Sequence, residues 1–237
     1  MMILPSELMG RRAPSEPQGF RAEAVLKRTL DVILASGGLL LLAPVFALAA
    51  VLIALDSPGP VFYEQVRVGQ NRRRSRNGGP PSDLDRRRAD CFGRPFKIYK
   101  LRSMVADAER NTGPIWAAAK DARVTRIGRL LRKSRLDETP QLWNVLRGDM
   151  SLVGPRPERP MFVASLAQSL PEYTMRCQAL PGITGLAQVK SRYDSSIETV
   201  NRKLQYDLYY VRHGRLLLDL KIMAATVKVM ACGEGAH

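Results

Sequence analysis

The stretch from Val32 to Leu55, VILASGGLLLLAPVFALAAVLIAL, carries no charged residue, whereas Lys27, Arg28 and Asp31 precede it and Asp56 follows. As a helix it is long enough to cover the ~30 Å hydrocarbon core of a bilayer. Pro44 falls near its middle. A proline there removes one N–H from the helical ladder and pushes its ring against the preceding turn. The halves 32–43 and 45–55 reach only ~16–18 Å each at 1.5 Å per residue, too short to span alone. The expectation is either a kinked transmembrane helix or a re-entrant helix–break–helix that enters and leaves on one side. Lys and Arg beside membrane segments tend to stay on the cytoplasmic side. Here they flank both ends, as Arg21, Lys27 and Arg28 and as Arg67, Arg72, Arg73 and Arg74. Charge therefore favours re-entry. Two readings compete, a cleaved signal peptide and a buried helix of a soluble domain. The first needs a shorter apolar core and a secreted body, and Cys91, Cys177 and Cys232 have no paired spacing that suggests one.

The chain has 237 residues, enough for one catalytic-sized domain plus the membrane element. Its 37 Lys+Arg against 22 Asp+Glu give a formal charge of +15. That excess suits anionic lipid headgroups, phosphorylated substrates or nucleic acid. The cations are spread over many segments instead of one recognition helix, and membrane attachment favours the first two; nucleic acid is not expected as a partner. No CxxC pair occurs, and His213 and His237 are far apart. Metal chemistry here is oxygen-ligated or absent.

Residues 1–19 are polar, Pro- and Gly-rich, and expected to lack fixed structure. Residues 20–56 form the membrane element, closed by the turn cluster Asp56-Ser57-Pro58-Gly59-Pro60. VFYEQVRVG (61–69) suits a strand or hairpin arm, and GRPFKIYKLRSM (93–104) opens with another strand. Between them, 71–92 is an arginine-rich loop insertion facing lipid phosphates, an acidic partner or plain solvent. Residues 104–111 have helical character, and Trp116 beyond them is an interface anchor or core. A helix is expected from Val124 to Arg135, with Ile127, Leu130, Leu131 and Ser134 on one side and cations around the rest. It lies on anionic membrane lipids or presents a solvated face. Residues 216–230 form an apolar helix that packs as core or lies in the interface. A catalytic domain thus runs over 57–230, with a tail at 231–237.

Leu136-Asp137-Glu138-Thr139-Pro140 leads into QLWNVLRG. Thr139 reads as an N-cap, Pro140 as the first helical residue and Gly148 as the stop. The carboxylates of Asp137 and Glu138 then precede a helix N-terminus, whose positive end favours an ionised, oriented carboxylate. Adjacent side chains diverge, so the pair suits one nucleophile or metal ligand and one supporting group. An acidic pair at a helix start also occurs in many proteins without catalytic meaning. GDMSLVGPRPE (148–158) follows at once. Its two prolines hold Arg156, which with Arg147 offers fork-like donors for phosphate oxygens. LPGITG (180–185) is a second rigid turn carrying hydroxyl and backbone donors. No Walker loop and no GxGxxG is present.

KRTLD (27–31), the proline-broken apolar segment, GPVFYEQVRVG (59–69), FKIYKLRSM (96–104), DARVTRIGRLLRKSRLDETPQLWNVLRGDMSLVGPRPE (121–158), LPGITG (180–185) and YDLYYVRHGRLLLDLKIM (206–223) occur in that order and cover most of 27–230. As an ordered set the chain resembles the bacterial sugar transferase family, the monotopic polyprenyl-phosphate phosphoglycosyl transferases, and within it the exopolysaccharide-initiating branch. The resemblance implies an α+β, mostly helical fold. In it a re-entrant helix–break–helix anchor carries a small cytoplasmic catalytic domain of amphipathic helices and short strands at the bacterial inner membrane. It assigns Asp137 as nucleophile, Glu138 as its partner, Mg²⁺ as cofactor with Asp137 on or near the ion, Pro44 as the helix break, and Arg156 and Glu158 as the family's GPRP arginine and following glutamate. Two departures stand out. Ala43 replaces the serine often found before the proline, and the 71–92 insertion separates segments that family members commonly join.

The implied reaction moves galactose or glucose 1-phosphate from a UDP-sugar to polyprenyl (undecaprenyl) phosphate through a phosphoglycosyl-aspartate, releasing UMP. Anionic lipids and polysaccharide assembly proteins are the further expected partners. Lys97, Lys100 and Arg102 are candidate diphosphate ligands, with ordinary surface charge as the alternative. Asp149 is read as orienting Arg147 or Arg156, or as capping the turn after Gly148. Tyr206, Tyr209 and Tyr210 line a lipid face or a uridine pocket, or pack as core, and His213 is structural or interfacial. A metal-dependent transferase that passes on only the sugar and releases UDP is the enzymatic rival. A non-enzymatic basic membrane adaptor is the rival from another class.

Overall fold

A computed structural model of the chain describes residues 19–71, 92–110, 113, 121–191 and 197–231. The expectations for residues 1–18, for 72–91 of the arginine-rich insertion, for Trp116 and for 232–237 lie outside the described residues. The apolar segment is one helix, α1 (Gly19–Asp56), with Pro44 inside it. The expected break is thus seen as an uninterrupted helix, because a proline deletes a single rung and the residues after it resume their own bonds. One stripe of α1, marked by Asp31, Ala35, Ala49 and Ile53, is buried on both sides of Pro44, while Leu40, Leu41 and Leu55 are nearly 80% exposed. The helix is long and apolar enough to cross a membrane.

Asp56 is followed by a two-stranded antiparallel sheet of β1 (Phe62–Val68) and β2 (Pro95–Leu101), in register from Phe62–Leu101 to Val68–Pro95. Phe96 and Ile98 of β2 pack with Ala35 of α1, Val145 and Met150, whereas Leu101 packs with Ala49, Ile53 and Leu131. Each such aliphatic side chain contributes ~1.5–3 kcal/mol on full burial. Residues 104–110 are not a helix, and Asn111 lies outside the described residues. Met104 bridges to Val124 and a turn follows, with Asp107 at φ 58°. The basic helix α2 (Arg126–Lys133) starts at Thr125, whose Oγ1 accepts from the Gly128 N–H at 2.9 Å. Ile127 and Leu131 face α1, but Leu130 is 59% exposed beside Arg126, Arg129 and Lys133, so the expected stripe is narrower by Leu130 and Ser134.

After α3 (Gln141–Arg147), β3 (Ser151–Val153) pairs in parallel with β4 (Gly182–Thr184). The GDMSLVG and LPGITG segments therefore meet as neighbouring strands. A Cβ on Gly154 would lie 2.2 Å from the Leu180 carbonyl oxygen, and one on Gly182 would lie 2.0 Å from the Gly154 nitrogen. Only glycine permits that approach. α4 (Pro160–Ser169), a 3-10 segment Pro171–Gln178 and α6 (Ile197–His213) enclose Val163, Tyr173, Cys177, Leu204 and Leu208. α5 (Leu186–Lys190) and α7 (Leu216–Ala231) cover the other face of the small sheet, where Val153, Tyr210 and Ile222 are buried. Of the two alternatives for α7, core packing is seen at Ile222, while Leu217, Val227 and Met230 are exposed.

Candidate active site

At the end of α2, Arg135 adopts a left-handed conformation (φ 60°, ψ 11°), and the chain turns into a 3-10 segment, Leu136–Glu138. Leu136 packs on the cluster of Ala49, Ile53, Leu101 and Leu131, which ties this turn to α1. The Thr139 hydroxyl donates back to the Leu136 carbonyl at 2.7 Å. It therefore closes the 3-10 turn instead of capping α3, which begins two residues later at Gln141. The helix-dipole reading of the dyad gives way to a stronger set of charges.

Glu138 lies between two cations. Arg156 Nη2 donates to its Oε1 at 2.5 Å and Nη1 to its Oε2 at 3.2 Å, while Lys100 Nζ donates to Oε1 at 2.7 Å. Burial raises the Glu138 pKa, but Arg156 and Lys100 outweigh it and hold the carboxyl well below the usual glutamate range. Glu138 in turn raises the Arg156 pKa. Asp137 is only 8% exposed and forms no ion pair among the described residues. Burial, with the Glu138 charge beside it, pushes its pKa up against the pull of Lys100, Arg132 and Arg156. Two adjacent carboxylates thus have opposite environments: Glu138 is neutralised, and Asp137 is left as a buried carboxylate without a counter-ion of its own. Arg156 keeps 38% of its side chain exposed, so its outer edge can meet an anion.

The Arg156 loop is gripped from two sides. Arg67 Nη1 donates to the Pro157 carbonyl at 3.1 Å and pairs with Glu158 at 3.3 Å. Arg176 Nη2 donates to the Arg156 carbonyl at 2.8 Å and pairs with buried Asp207 at 2.7 Å. The other expected site residues lie apart from this centre. Arg147, half-exposed at the end of α3, pairs with Asp149 at 3.4 Å and donates to the Tyr99 hydroxyl at 3.3 Å. Lys97 forms an exposed 2.8 Å pair with Glu64. Arg102, read from the sequence as a candidate diphosphate ligand or surface charge, is buried, and donates to the carbonyls of Ile53, Ser57 and Pro58 at 3.2, 2.6 and 2.5 Å. Its guanidinium satisfies the Ile53 carbonyl in the last turn of α1 and the Ser57 and Pro58 carbonyls of the turn that follows, which leaves little of it for a diphosphate. Tyr210 is buried with its hydroxyl on Val153 O and Asp219, and His213 stacks on Tyr209, so the tyrosine and histidine contribute packing. The Thr184 hydroxyl bonds to that of Thr226 on α7.

Sequence reasoning missed the fasteners of α1. Lys27 Nζ reaches Asp219 at 2.5 Å, the Tyr210 hydroxyl and Val153 O. Arg28 donates to Val145 O and Leu146 O, capping α3, and Asp31 accepts from the Leu152 N–H at 3.1 Å. The available signal was a lone acid inside an apolar run, Asp207 or Asp219, which is buried only with a partner.

A buried carboxylate beside an arginine–lysine pair, in a chain that carries a helix long and apolar enough to cross a membrane, makes a candidate site for anionic substrates. The family model described as bacterial sugar transferase matches residues 22–233, and the chain belongs to that family. It is 39% identical to a UDP-glucose:undecaprenyl-phosphate glucose-1-phosphate transferase of Caulobacter vibrioides, over 98% of this chain and 80% of that protein. It is 39% identical to a UDP-N-acetylgalactosamine-undecaprenyl-phosphate N-acetylgalactosaminephosphotransferase of Aeromonas hydrophila, over 90% of this chain but only 45% of that longer protein. Against the Exopolysaccharide production protein PSS of Rhizobium leguminosarum bv. phaseoli it is 37% identical, over 86% of this chain and 94% of that one.

Proposed function

We propose that this chain transfers a hexose 1-phosphate from a UDP-sugar to polyprenyl phosphate in two steps. A carboxylate oxygen of Asp137 attacks the β-phosphorus of the UDP-sugar; the O–P bond to Asp137 forms, the diphosphate bridge breaks, and UMP leaves. An oxygen of polyprenyl phosphate then attacks the same phosphorus, the aspartyl ester breaks, and Asp137 returns to a carboxylate. Dividing one difficult transfer in two is what a carboxylate nucleophile achieves. The observation that carries this reading is the unequal dyad, with Glu138 clamped by Arg156 and Lys100 and Asp137 unpaired among the described residues. The outer edge of Arg156 offsets charge on the transferring phosphoryl group. Arg147, steered by Asp149, is a more distant phosphate ligand. The name of the Caulobacter relative supports glucose 1-phosphate, that of the Rhizobium relative supports a place in exopolysaccharide production, and that of the Aeromonas relative keeps N-acetylgalactosamine 1-phosphate in view.

Mg²⁺ fits this site in its substrate-dependent mode. Among the described residues no three acidic, His or Cys side chains form a cage, and Glu138 is taken up by cations. Asp137 would hold the ion together with diphosphate oxygens and water, and the ion would offset diphosphate charge. We place the protein on the cytoplasmic face of the inner membrane, with α1 re-entrant by bending at Pro44 while it stays helical on both sides. Lys27, Arg28 and Asp31 fasten one end of α1, and Arg102 the other, to one catalytic body that cannot sit on both sides of a bilayer. Exposed Leu130 with Arg126, Arg129 and Lys133 suits anionic headgroups.

The test is nucleotide release from enzyme in nanodiscs with Mg²⁺, undecaprenyl phosphate and UDP-glucose or UDP-galactose. UMP is expected, and Asp137→Ala abolishes its release while leaving folding and membrane attachment intact. UDP in its place would overturn the aspartyl step and make the transfer sugar-only. Neither nucleotide, together with anionic-vesicle binding that survives Asp137→Ala and falls steeply with salt, would mark a basic adaptor.

A further inference from the structure

Arg176 and Asp207 form an ion pair whose side chains are 8% and 4% exposed. They sit among Val163, Tyr173, Cys177, Leu204 and Leu208. Stability alone does not account for them: buried ion pairs replaced by apolar side chains of similar volume commonly leave a protein as stable or more so. The geometry supplies another reason. The nitrogen of Arg176 that meets Asp207 Oδ2 at 2.7 Å also donates to the backbone carbonyl of Arg156 at 2.8 Å, and Nη1 donates to the Tyr173 hydroxyl at 2.7 Å. Arg156 belongs to a loop outside any helix or strand, and its side chain makes the two-pronged contact to Glu138. A guanidinium fixed to its carboxylate through two bonds tolerates little movement of its own backbone.

We propose that Asp207 and Arg176 are positioning residues: Asp207 on α6 orients Arg176, which holds the Arg156 carbonyl and so sets the reach of the Arg156 guanidinium to Glu138 and to an incoming phosphoryl group. Arg67, bound to the next carbonyl at Pro157, completes the grip from the β1 side. The helix α6, which carries neither dyad residue, thereby controls the geometry of the dyad. The proposal rests on the reading of the Asp137–Glu138 site given above.

The paired replacement Arg176→Met with Asp207→Leu removes both charges at once and leaves no orphaned ion, so the variant folds while the hold on Arg156 is lost. With UDP-glucose or UDP-galactose and undecaprenyl phosphate, kcat for UMP release falls by roughly ten- to a hundred-fold, as small misplacements of a positioned group do, with KM for the donor nearly unchanged. A folded variant with wild-type kcat overturns the proposal. A second measurement needs no substrate. Glu138→Gln is introduced into wild type and into the paired variant, and the four melting temperatures are compared. Coupling through Arg156 predicts that the substitution costs clearly less in the paired variant; additive shifts overturn the proposal. Arg176→Lys, which keeps a cation opposite Asp207, supplies the same two readings where the paired replacement does not fold. Wild-type enzyme that releases no UMP counts against the transferase reading, and the melting cycle then decides the positioning role by itself.

Discussion

Lys97 and Lys100 stand on the same strand, and their fates differ. Lys97 meets Glu64 at an exposed position, where such pairs contribute about 0–1 kcal/mol. Lys100 is drawn inward to Glu138; burial lowers its pKa, with Arg156 adding repulsion, against the attraction of Glu138. Lys97→Ala is expected to leave the rate of UMP release within about two-fold. Lys100→Ala leaves Glu138 to Arg156 alone and lowers kcat by about 10²-fold. Nothing in FKIYKLRSM separates the two lysines. Three residues apart on a strand they occupy opposite faces, and only the docking of α3 and the dyad turn decides which face is the site. Asp121 carries a pH dependence. Its carboxylate accepts from the Arg123 backbone N–H, Nε and Nη2, and these bonds, against the cost of burial, lower its pKa to about 2. A depressed folded pKa stabilises above the unfolded value of 3.8, and that contribution is lost as pH falls toward 2. The melting-temperature gap between wild type and Asp121→Asn should be constant above about pH 5 and close as pH approaches about 2.

Among the elements, the end of α1 was the least legible. Asp56-Ser57-Pro58-Gly59-Pro60 announces a turn, but not that Arg102, from the far end of β2, supplies the donors for it. Gly59 is at φ 124°, and a Cβ there would lie 2.2 Å from Arg102 Nη1. Gly59→Ala and Arg102→Ala should each destabilise by about 1–3 kcal/mol, the first through backbone strain and the second through orphaned carbonyls. Both should leave the donor KM unchanged, whereas a diphosphate role for Arg102 requires KM to rise. Strands β1 and β2 were readable from their β-branched and aromatic runs, and α2 from its period. Residues 104–110 were misread because a short run with helical composition yields to a tertiary bridge, here Met104 to Val124. Thr139 was misread for a similar reason: a hydroxyl at a helix start bonds whichever backbone group is nearer, and the left-handed Arg135 brings the Leu136 carbonyl to it.

For the molecule as a whole, the fastening of both ends of α1 to one body makes a topological prediction. Single cysteines placed at Ala24 and at Ser57, in a background lacking Cys91, Cys177 and Cys232, should both resist a membrane-impermeant maleimide in intact spheroplasts and both react in inverted vesicles. Labelling of either from outside would mean that α1 spans. Composition and order along the chain determined much of this protein: an uncharged apolar run of that length suits lipid, a charge of +15 suits anionic partners, and the ordered motifs from KRTLD to LPGITG carried the family. They also singled out Asp137, Glu138 and Arg156. Tertiary structure alone decided how those residues differ. Sequence neighbours Asp137 and Glu138 have the same chemistry until Lys100, from β2, and Arg156, from the loop after β3, close on one of them. The network behind them, from Asp207 through Arg176 to the Arg156 carbonyl, joins residues that no local pattern links. Electrostatic energy depends on separation in space, and only the packed fold sets those separations.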